Sequence, residues 1–400
     1  MREIDNFRLF EERKFKKQLG YLTREANQKT LAQVNPLEKI NKEWVFIKIL
    51  QIKRTEKTRI VLLIEDLTTA KQVTYVKKDQ TDIPFIETAY YNVTLTQNVR
   101  YWKKQLVLVD YKPVGYFNQL KIVNGEPLYG ALLSDIHVGS IYFMKKEFIR
   151  FLKYVETNKL IKYIFIAGDL IDGVGIYPEQ EKNLYEKNAY LQYDQVKRLF
   201  ETHLLREDIK VFFSPGNHDF LSLFEPQIVS PEIRKRLPDT WIILDNPDYI
   251  TIEDKRILFY HGRSIDSLIM AKTPYLSYQK MTRVYDYMFS QRNLSPTVKG
   301  SRLDFRRSTG MIDQIPDIFL SGHVHKWCSS LQNGVLFCNS GCWQHETEYQ
   351  KNLDITPVKG ICQLINIRDT RGAHYKVDFR NQEIVEDKYT LVPNNQQDLE

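Results

Sequence analysis

An alternating pattern of short apolar runs and polar gaps begins near residue 44 of the chain. The first five runs cover residues 44–50, 60–64, 72–76, 90–95 and 105–109. They are rich in β-branched and aromatic residues and too short for stable helices, so each run predicts a strand. Five short strands in succession predict a small all-β barrel.

Beyond residue 120 the pattern changes, because apolar strands now alternate with amphipathic helical segments such as 144–156 and 189–205. This alternation is typical of a layered α/β domain. The sequence Asn124-Gly125-Glu126-Pro127 supplies turn residues between the two regions. A domain boundary is therefore predicted near residue 120.

The two ends of the chain differ from these domains. Residues 1–41 are charged and polar, with Phe7, Phe10 and Phe15 at loosely helical spacing, which predicts an appended helix. The predicted organisation is an N-terminal helical segment at 1–41, a barrel domain at 42–120, a layered α/β domain at 121–385 and a polar tail at 386–400.

The composition is that of a folded globular protein, with 42% hydrophobic and 27% charged residues. No run of about 18 apolar residues occurs, and the N-terminus is charged where a signal peptide needs apolar residues. We therefore expect an intracellular, cytoplasmic protein without membrane association. The four cysteines, Cys328, Cys338, Cys342 and Cys362, form no C-x-x-C pair, which favours buried free thiols over a zinc knuckle or disulfides.

The formal net charge of +7 is distributed unevenly. Between Lys272 and Gly310 there are eight basic and two acidic residues, a net charge of +6. A charged stretch of this kind is most often a solvated surface loop. It is also the electrostatic pattern of a surface that binds nucleic acid, so both interpretations are kept.

Five apolar runs in the second domain end at side chains that can bind metals. The polar blocks that follow these runs are Asp135-Ile136-His137, Gly168-Asp169, Gly216-Asn217-His218-Asp219, His261-Gly262-Arg263 and Gly322-His323-Val324-His325. The carboxyl ends of strands meet at one edge of an open α/β sheet, so we expect the blocks to converge there. A single histidine at such a position is more often a hydrogen-bonded core residue. Five blocks together favour a metal site, because an unpaired buried Asp135 or Asp169 would be costly.

These motifs, Asp-x-His, Gly-Asp-x-x-Asp, Gly-Asn-His-Asp, His-Gly and Gly-His-x-His in that order, resemble the calcineurin-like metallophosphoesterase superfamily. The resemblance implies a β-sandwich flanked by helices that holds two divalent metal ions. It assigns one ion to Asp135, His137, Asp169 and His325, and the other to Asp169, Asn217, His261 and His323. Such mixed oxygen and nitrogen ligands suit Mn²⁺, Fe or Zn²⁺, and Mn²⁺ is favoured for a nuclease.

By the same resemblance, His218 faces the substrate phosphate, where it stabilises charge or protonates the leaving oxygen. Asp219 would orient the imidazole of His218, although a turn or helix-cap role explains Asp219 equally well. Asp172 is interpreted as a partner of a metal ligand rather than as a ligand.

Longer stretches narrow the resemblance to one family. Residues 135–140, 168–178, 261–264 and 316–325 resemble the small subunit of archaeal family D DNA polymerase, which carries an OB-fold barrel ahead of its phosphoesterase domain. The resemblance implies a 3′-to-5′ proofreading exonuclease that acts on the single-stranded 3′ end of DNA. It also implies a heterodimer with the large catalytic subunit of the polymerase, associated with the nucleoid.

The basic stretch lies between two of the metal-site blocks, which suits a DNA strand beside the site. The candidate DNA contacts are Arg263, Lys299, Arg302, Arg306 and Arg307. The aromatic residues Tyr275, Tyr278, Tyr285, Tyr287 and Phe305 could stack on bases, although such spacing is more typical of a core.

Two alternatives to the exonuclease remain open. The chain could be an assembly scaffold for the large polymerase subunit, with structural metals, as in eukaryotic counterparts that have lost the ligands. It could also be a stand-alone phosphoesterase that acts on a small molecule, because superfamily membership does not determine a substrate.

Overall fold

The computed structural model of the chain describes most of its length. The described residues are 2–21, 30, 44–55, 58–77, 85, 87, 89–100, 103–219, 221–272, 276–297, 302–304, 307–308, 310–352 and 356–392. They form two compact units. The barrel unit comprises Met1–Tyr116, Ser264–Ser277 and Arg283–Asp313, and the sandwich unit comprises Phe117–Arg263, Tyr278–Thr282 and Gln314–Glu400.

The described residues contain the following helices and strands. The helices are α1 (Arg2–Tyr21), α2 (Lys145–Thr157), α3 (Ala189–His203), α4 (Pro231–Arg234), α5 (Ser264–Lys272), α6 (Met281–Ser290) and α7 (Glu348–Asn352). The strands are β1 (Trp44–Thr55), β2 (Arg59–Glu65), β3 (Ala70–Val76), β4 (Tyr90–Arg100), β5 (Lys103–Lys112), β6 (Tyr129–Leu133), β7 (Ile161–Ala167), β8 (Lys210–Ser214), β9 (Ile242–Ile243), β10 (Asp248–Ile252), β11 (Lys255–Phe259), β12 (Ile318–Ser321), β13 (Trp327–Gln332), β14 (Val335–Ser340), β15 (Ile361–Asn366), β16 (His374–Asp378) and β17 (Val385–Tyr389). None of the described helices has the length and apolar composition needed to cross a bilayer.

The five N-terminal strands close into a barrel, as the sequence predicts, and their order is β1-β2-β3-β5-β4. β3 and β5 pair in parallel, whereas the other neighbours are antiparallel. The interior is built by alternation: Ile60, Leu62 and Ile64 of β2 are fully buried, and the residues between them are partly exposed. Burying each such side chain stabilises the barrel by about 2 kcal/mol.

Helices from distant parts of the sequence complete the barrel unit. Lys17 of α1 forms an ion pair of 2.6 Å with Asp313, and Gln291 Oε1 accepts a hydrogen bond of 3.0 Å from the backbone N–H of Tyr90. Tyr287 of α6 is buried, with its hydroxyl 3.1 Å from that of Tyr91. The predicted domain at 121–385 is therefore not one continuous stretch of sequence. Residues 264–277 and 283–313 belong to the barrel unit, where the apolar face of α6 is buried.

The sandwich unit contains two sheets. One has seven strands in the order β17-β16-β15-β6-β7-β8-β9, and the other has five in the order β10-β11-β12-β14-β13. Successive side chains of a strand point to opposite faces. Phe165 of β7 therefore packs in a core with Phe259 and Leu320 of the five-stranded sheet, whereas its neighbour Ile166 packs in a core with Phe148 of α2. The predicted helices at 144–156 and 189–205 correspond to α2 and α3.

The C-terminal edge of the seven-stranded sheet differs from the predicted polar tail. Residues 386–389 belong to β17, which pairs with β16. The hydroxyl of Tyr389 donates a hydrogen bond of 3.0 Å to Ser329 Oγ and accepts one of 2.8 Å from Gln363 Nε2. These contacts hold the strand, and residues 393–400 of the predicted tail lie outside the described residues. All four cysteines are buried free thiols, as predicted.

Candidate metal centre

The five polar blocks follow the carboxyl ends of β6, β7, β8, β11 and β12. The first three strands are parallel neighbours in the seven-stranded sheet, and β11 and β12 are parallel neighbours in the five-stranded sheet. The prediction that all five blocks lie at one edge of a single sheet is therefore wrong. The blocks lie at the ends of strands from the two sheets of the sandwich unit.

The backbone of this region is strained where the candidate ligands lie. Five of them have a positive φ angle although they are not glycine: Asp135 (53°), His137 (56°), Asp169 (53°), His323 (67°) and His325 (51°). Each such residue costs about 1–3 kcal/mol and persists only where neighbouring contacts enforce it. The Asp135 carboxylate enforces the strained conformation of His323, because both carboxylate oxygens lie 3.0 Å from the backbone nitrogen of His323.

Glycines let the strand ends approach one another closely. Gly168 has a φ of 92°, a conformation that other residues adopt at a cost. A Cβ atom at Gly216 would lie 2.2 Å from Asp169 Oδ1. The turn after β8 can therefore contact the Asp169 carboxylate only if residue 216 has no side chain.

Two groups of predicted ligand atoms occupy this space, and a third group joins His137 to Asp172 and His218. In the first, His325 Nε2 lies 3.3 Å from Asp135 Oδ1 and 3.2 Å from His137 Nε2. In the second, His261 Nε2 lies 3.1 Å from Asp169 Oδ2, and a ligand atom of His323 lies within 4.8 Å of both residues. The groups match most of the two predicted ligand sets. The bridging role of Asp169 remains a prediction.

Buried lone pairs test whether these residues fit a metal. Asn217 Oδ1 is buried and has no hydrogen-bond partner among the described residues. A buried acceptor without a partner is costly, and amide oxygen and imidazole nitrogen are ordinary ligands of divalent metals. Asn217 and His261 are both assigned to the second ion, so the donor set fits that cation.

The buried carboxylates of this centre remain charged. Burial alone would raise the pKa of Asp169, but the imidazoles of His261 and His218 hold that pKa well below its usual value. Burial would also raise the pKa of Asp135, but the nearby His325 imidazole outweighs burial, and the pKa of Asp135 is lowered. Burial lowers the pKa of His261, yet the Asp169 carboxylate raises it to about 9. In the metal-free chain, protonated imidazoles therefore balance charge that cations would otherwise balance.

His218 is held at the rim of the centre. Its backbone N–H donates a hydrogen bond of 2.8 Å to Asp169 Oδ1, and its Nδ1 lies 2.7 Å from the carbonyl oxygen of Asp172. A carbonyl oxygen only accepts, so Nδ1 carries the proton and Nε2 is left for other partners. The side chain is 14% exposed, which leaves it accessible to a substrate.

Asp219 does not have the predicted role of orienting the His218 imidazole. Its Oδ1 accepts hydrogen bonds of 2.9 and 3.2 Å from the backbone N–H groups of Leu170 and Ile171, and its Oδ2 accepts one of 2.7 Å from Gly216. Burial, together with the nearby Asp169 carboxylate, raises the pKa of Asp219 to about 7. Asp219 therefore ties the turn after β7 to the turn after β8, since backbone amides occupy its carboxylate.

Partners hold the second nitrogen of the candidate imidazole ligands, as metal-binding histidines require. Asp172 Oδ1 lies 2.9 Å from His137 Nδ1, which agrees with its predicted place behind a ligand. His261 Nδ1 lies 2.9 Å from the Ala167 carbonyl oxygen.

Glutamines complete this second layer, and the sequence did not identify them as functional. Gln344 Nε2 donates a hydrogen bond of 3.1 Å to Asp172 Oδ1, and Gln350 Nε2 lies 2.7 Å from His325 Nδ1. A glutamine has no spacing pattern that marks such a role, so only the contacts reveal it.

The candidate DNA contacts are spread over both units. Arg263 is partly buried in the sandwich unit, whereas Arg302 and Arg307 are exposed residues of the barrel unit. Lys299 and Arg306 lie outside the described residues, as do Tyr275 and Phe305 among the aromatic candidates. Tyr285 and Tyr287 are buried, which agrees with the core role that the sequence favoured for the aromatic candidates. Tyr278 is partly buried.

The amino-acid sequence of the chain is similar to those of several known proteins. The profile of the calcineurin-like phosphoesterases matches residues 131–327. The DNA polymerase II small subunit of Archaeoglobus fulgidus is 39% identical over 256 residues, 59% of this chain and 51% of that protein. The DNA polymerase II small subunit of Pyrococcus abyssi is 29% identical over 385 residues, 89% of this chain and 61% of that protein. The match to the first relative thus spans about half of that protein's length.

Solved structures resemble the chain more weakly. Vacuolar protein sorting 29 from Cryptosporidium parvum aligns with 66% of this chain and 98% of its own length, at 14% identity and a TM-score of 0.35. A likeness of this size supports no functional conclusion.

Proposed function

We propose a function from the premise that this chain belongs, through residues 131–327, to the calcineurin-like phosphoesterase family. The chain is a metal-dependent phosphodiesterase that removes nucleotides from the 3′ end of DNA. It serves as the small, proofreading subunit of a two-subunit archaeal replicative polymerase. The relatives' description as DNA polymerase II small subunits supports the polymerase role.

The observation that carries the proposal is the set of charges and lone pairs at the strand ends. Asp135 and Asp169 are buried and held in their charged forms, and the buried lone pairs of Asn217 Oδ1 have no partner among the described residues. Divalent cations in the family's two positions, with Mn²⁺ preferred, would supply Lewis acidity for the phosphate and lower the pKa of an attacking water.

The chain's own residues supply orientation and a proton. With Nδ1 of His218 held by the Asp172 carbonyl, Nε2 is the atom that can contact a phosphate oxygen. A protonated His218 would stabilise negative charge there or protonate the leaving 3′ oxygen. Asp172 contacts both His218 and His137, so it would fix the position of the His218 imidazole relative to the first ligand group.

The substrate and the partner come from the relatives rather than from the site. A large catalytic subunit is the expected partner, and the exposed Arg302 and Arg307 are candidate contacts to DNA. The closed five-stranded barrel, which is compatible with an OB-fold, would dock that partner or bind a single strand.

Digestion of labelled DNA tests this function. Single-stranded DNA labelled at the 3′ or the 5′ end, and a primer with a 3′ mismatch, would be incubated with the chain with and without Mn²⁺. We expect stepwise shortening from the 3′ end that requires Mn²⁺. The His218→Ala variant should be slower by about 10²–10⁴-fold, because it lacks the acid, with unchanged metal content.

A matched control is His345→Ala, since His345 is an exposed histidine of the same unit. It should digest DNA at the wild-type rate. Digestion by His218→Ala at full rate would contradict the assigned acid. No digestion of any DNA, even after addition of the large subunit, would reject the exonuclease and favour a scaffold. Rapid turnover of a small phosphate ester alone would favour a small-molecule phosphoesterase.

A further inference from the structure

We propose that Tyr177 forms a nucleobase subsite beside His218, on which the 3′-terminal base stacks. The proposal rests on the proposed function and adds how the site would hold its substrate. It concerns the segment from Gly173 to Asn183, which follows the Asp169 block and has no part in the candidate metal centre.

This segment is held in one conformation. Gly173, Gly175 and Glu179 have φ angles of 69°, 74° and 62°, an unusual density of left-handed backbone. Gln180, which is 1% exposed, donates hydrogen bonds to the carbonyl and carboxylate of Asp172 at 2.8 and 3.0 Å. Its Oε1 accepts a hydrogen bond of 2.9 Å from the backbone N–H of Ile176. Of the three residues with positive φ only Glu179 is strained, because glycine adopts such angles freely, and the buried contacts of its neighbour Gln180 hold Glu179 in place.

The segment also lies directly against His218. A Cβ atom on Gly173 would be 2.2 Å from the carbonyl oxygen of His218, so the two backbones are in contact there. The ring of Tyr177 has its centroid 6.3 Å from that of the His218 imidazole, at an interplanar angle of 57°. Both side chains are partly exposed.

This position suits a base rather than a phosphate. The sugar separates a nucleobase from the phosphate that His218 is proposed to contact, so a base surface must lie next to that imidazole and outside it. An aromatic ring binds every base through its π-face, which a nuclease that removes any terminal nucleotide needs.

Other tyrosines of the sandwich unit have structural roles. Tyr193 is fully buried and donates a hydrogen bond of 2.9 Å to the carbonyl oxygen of Asp219. Tyr185 is exposed, and its hydroxyl donates a hydrogen bond of 2.5 Å to Gln195, just as the hydroxyl of Tyr177 accepts one of 3.4 Å from Asn183 Nδ2. Tyr177 combines partial exposure, a rigid backbone and a position beside the candidate acid.

The test measures stacking without requiring cleavage. A single-stranded oligonucleotide would carry the fluorescent base 2-aminopurine at its 3′ terminus and a phosphorothioate at the last linkage to slow hydrolysis. We expect the full chain to quench the terminal 2-aminopurine, and Tyr177→Leu to lose the quenching and bind about tenfold more weakly. Tyr177→Phe keeps the ring and should behave as wild type, as should the control Tyr185→Leu.

Digestion assays provide a second readout that separates the two proposals. Wild type should prefer a normal 3′ terminus to an abasic one, and Tyr177→Leu should lose this preference. Quenching and preference that are unchanged in a folded Tyr177→Leu would overturn the subsite, even if DNA is digested normally. A chain that digests no DNA would contradict the exonuclease, and the quenching would still decide the subsite.

Discussion

In the barrel unit, the buried ammonium of Lys48 lies against the carboxylate of Glu11, whereas in the sandwich unit the buried carboxylates of Asp135 and Asp169 face imidazoles. The barrel pair is balanced by protein groups alone. Backbone strain follows the same division: of the ten non-glycine residues with positive φ among those described, only Arg292 is in the barrel unit.

The difference shows which part of the molecule is built to bind a cation. A protein keeps strained backbone where it positions functional groups, and five of the strained residues are candidate metal ligands. The buried charge of Lys48 in the barrel unit is matched by the carboxylate of Glu11 and stabilises the fold. Buried charge in the sandwich unit is matched only in part, which leaves a place for external positive charge.

The largest effect is expected from Asp169→Asn. The substitution keeps the shape of the side chain but removes the negative charge between the two ligand groups, so both activity and bound Mn²⁺ should fall. We expect DNA digestion to decrease by about 10³-fold or more, because metal ions contribute several kcal/mol to stabilising the transition state. Digestion above a tenth of the wild-type rate would show that the charge of Asp169 is not what binds the metals.

A smaller effect, on stability rather than activity, is expected from Lys48→Met. The substitution leaves the Glu11 carboxylate without its ammonium partner, so unfolding of the barrel unit in urea should require about 3 kcal/mol less. The control Lys17→Met breaks an exposed pair with Asp313 and should cost at most about 1 kcal/mol. Equal losses for the two variants would contradict the importance of burial, and loss of DNA digestion would contradict the division of roles.

The smallest effect is a pH dependence of the metal-free chain. The folded-state pKa of His261, about 9, is above the ordinary histidine value of 6.5, so the protonated ring stabilises the fold. This stabilisation is complete below pH 6.5 and is lost as pH rises towards 9, on the order of 1–3 kcal/mol. In EDTA the melting temperature should therefore decrease as the pH is raised from 6.5 to 9.

Addition of Mn²⁺ should reverse that trend, because metal binding requires the deprotonated ring and becomes stronger as pH rises. The His261→Gln variant is the control, and its melting temperature in EDTA should change less over the same range. A wild-type midpoint that rises with pH in EDTA would contradict the proposed balance between protons and cations.

Local patterns in the sequence were sufficient for the strands of the barrel and for α2 and α3. A strand or an amphipathic helix reveals itself within about ten residues, because its burial follows its own periodicity. The candidate ligands were also found from local motifs. Each motif directly follows an apolar strand, and strand ends are where an α/β domain gathers its functional groups.

Contacts between distant residues decided the rest. Residues 283–313 belong to the barrel unit because Tyr287 and Gln291 find partners at Tyr91 and Tyr90, about 200 positions earlier in the chain. The sequence left the role of Asp219 open between orienting His218 and stabilising a turn, and contacts with the backbone amides of Leu170 and Gly216 favour the turn.

The sequence by itself thus determined which side chains are candidate metal ligands, and in which order they follow the strands. Only the tertiary structure decided how two sheets bring those side chains together and which amides hold them there. The physical reason is that residue type and periodicity are local properties, whereas hydrogen-bond partners and burial depend on which surfaces pack together.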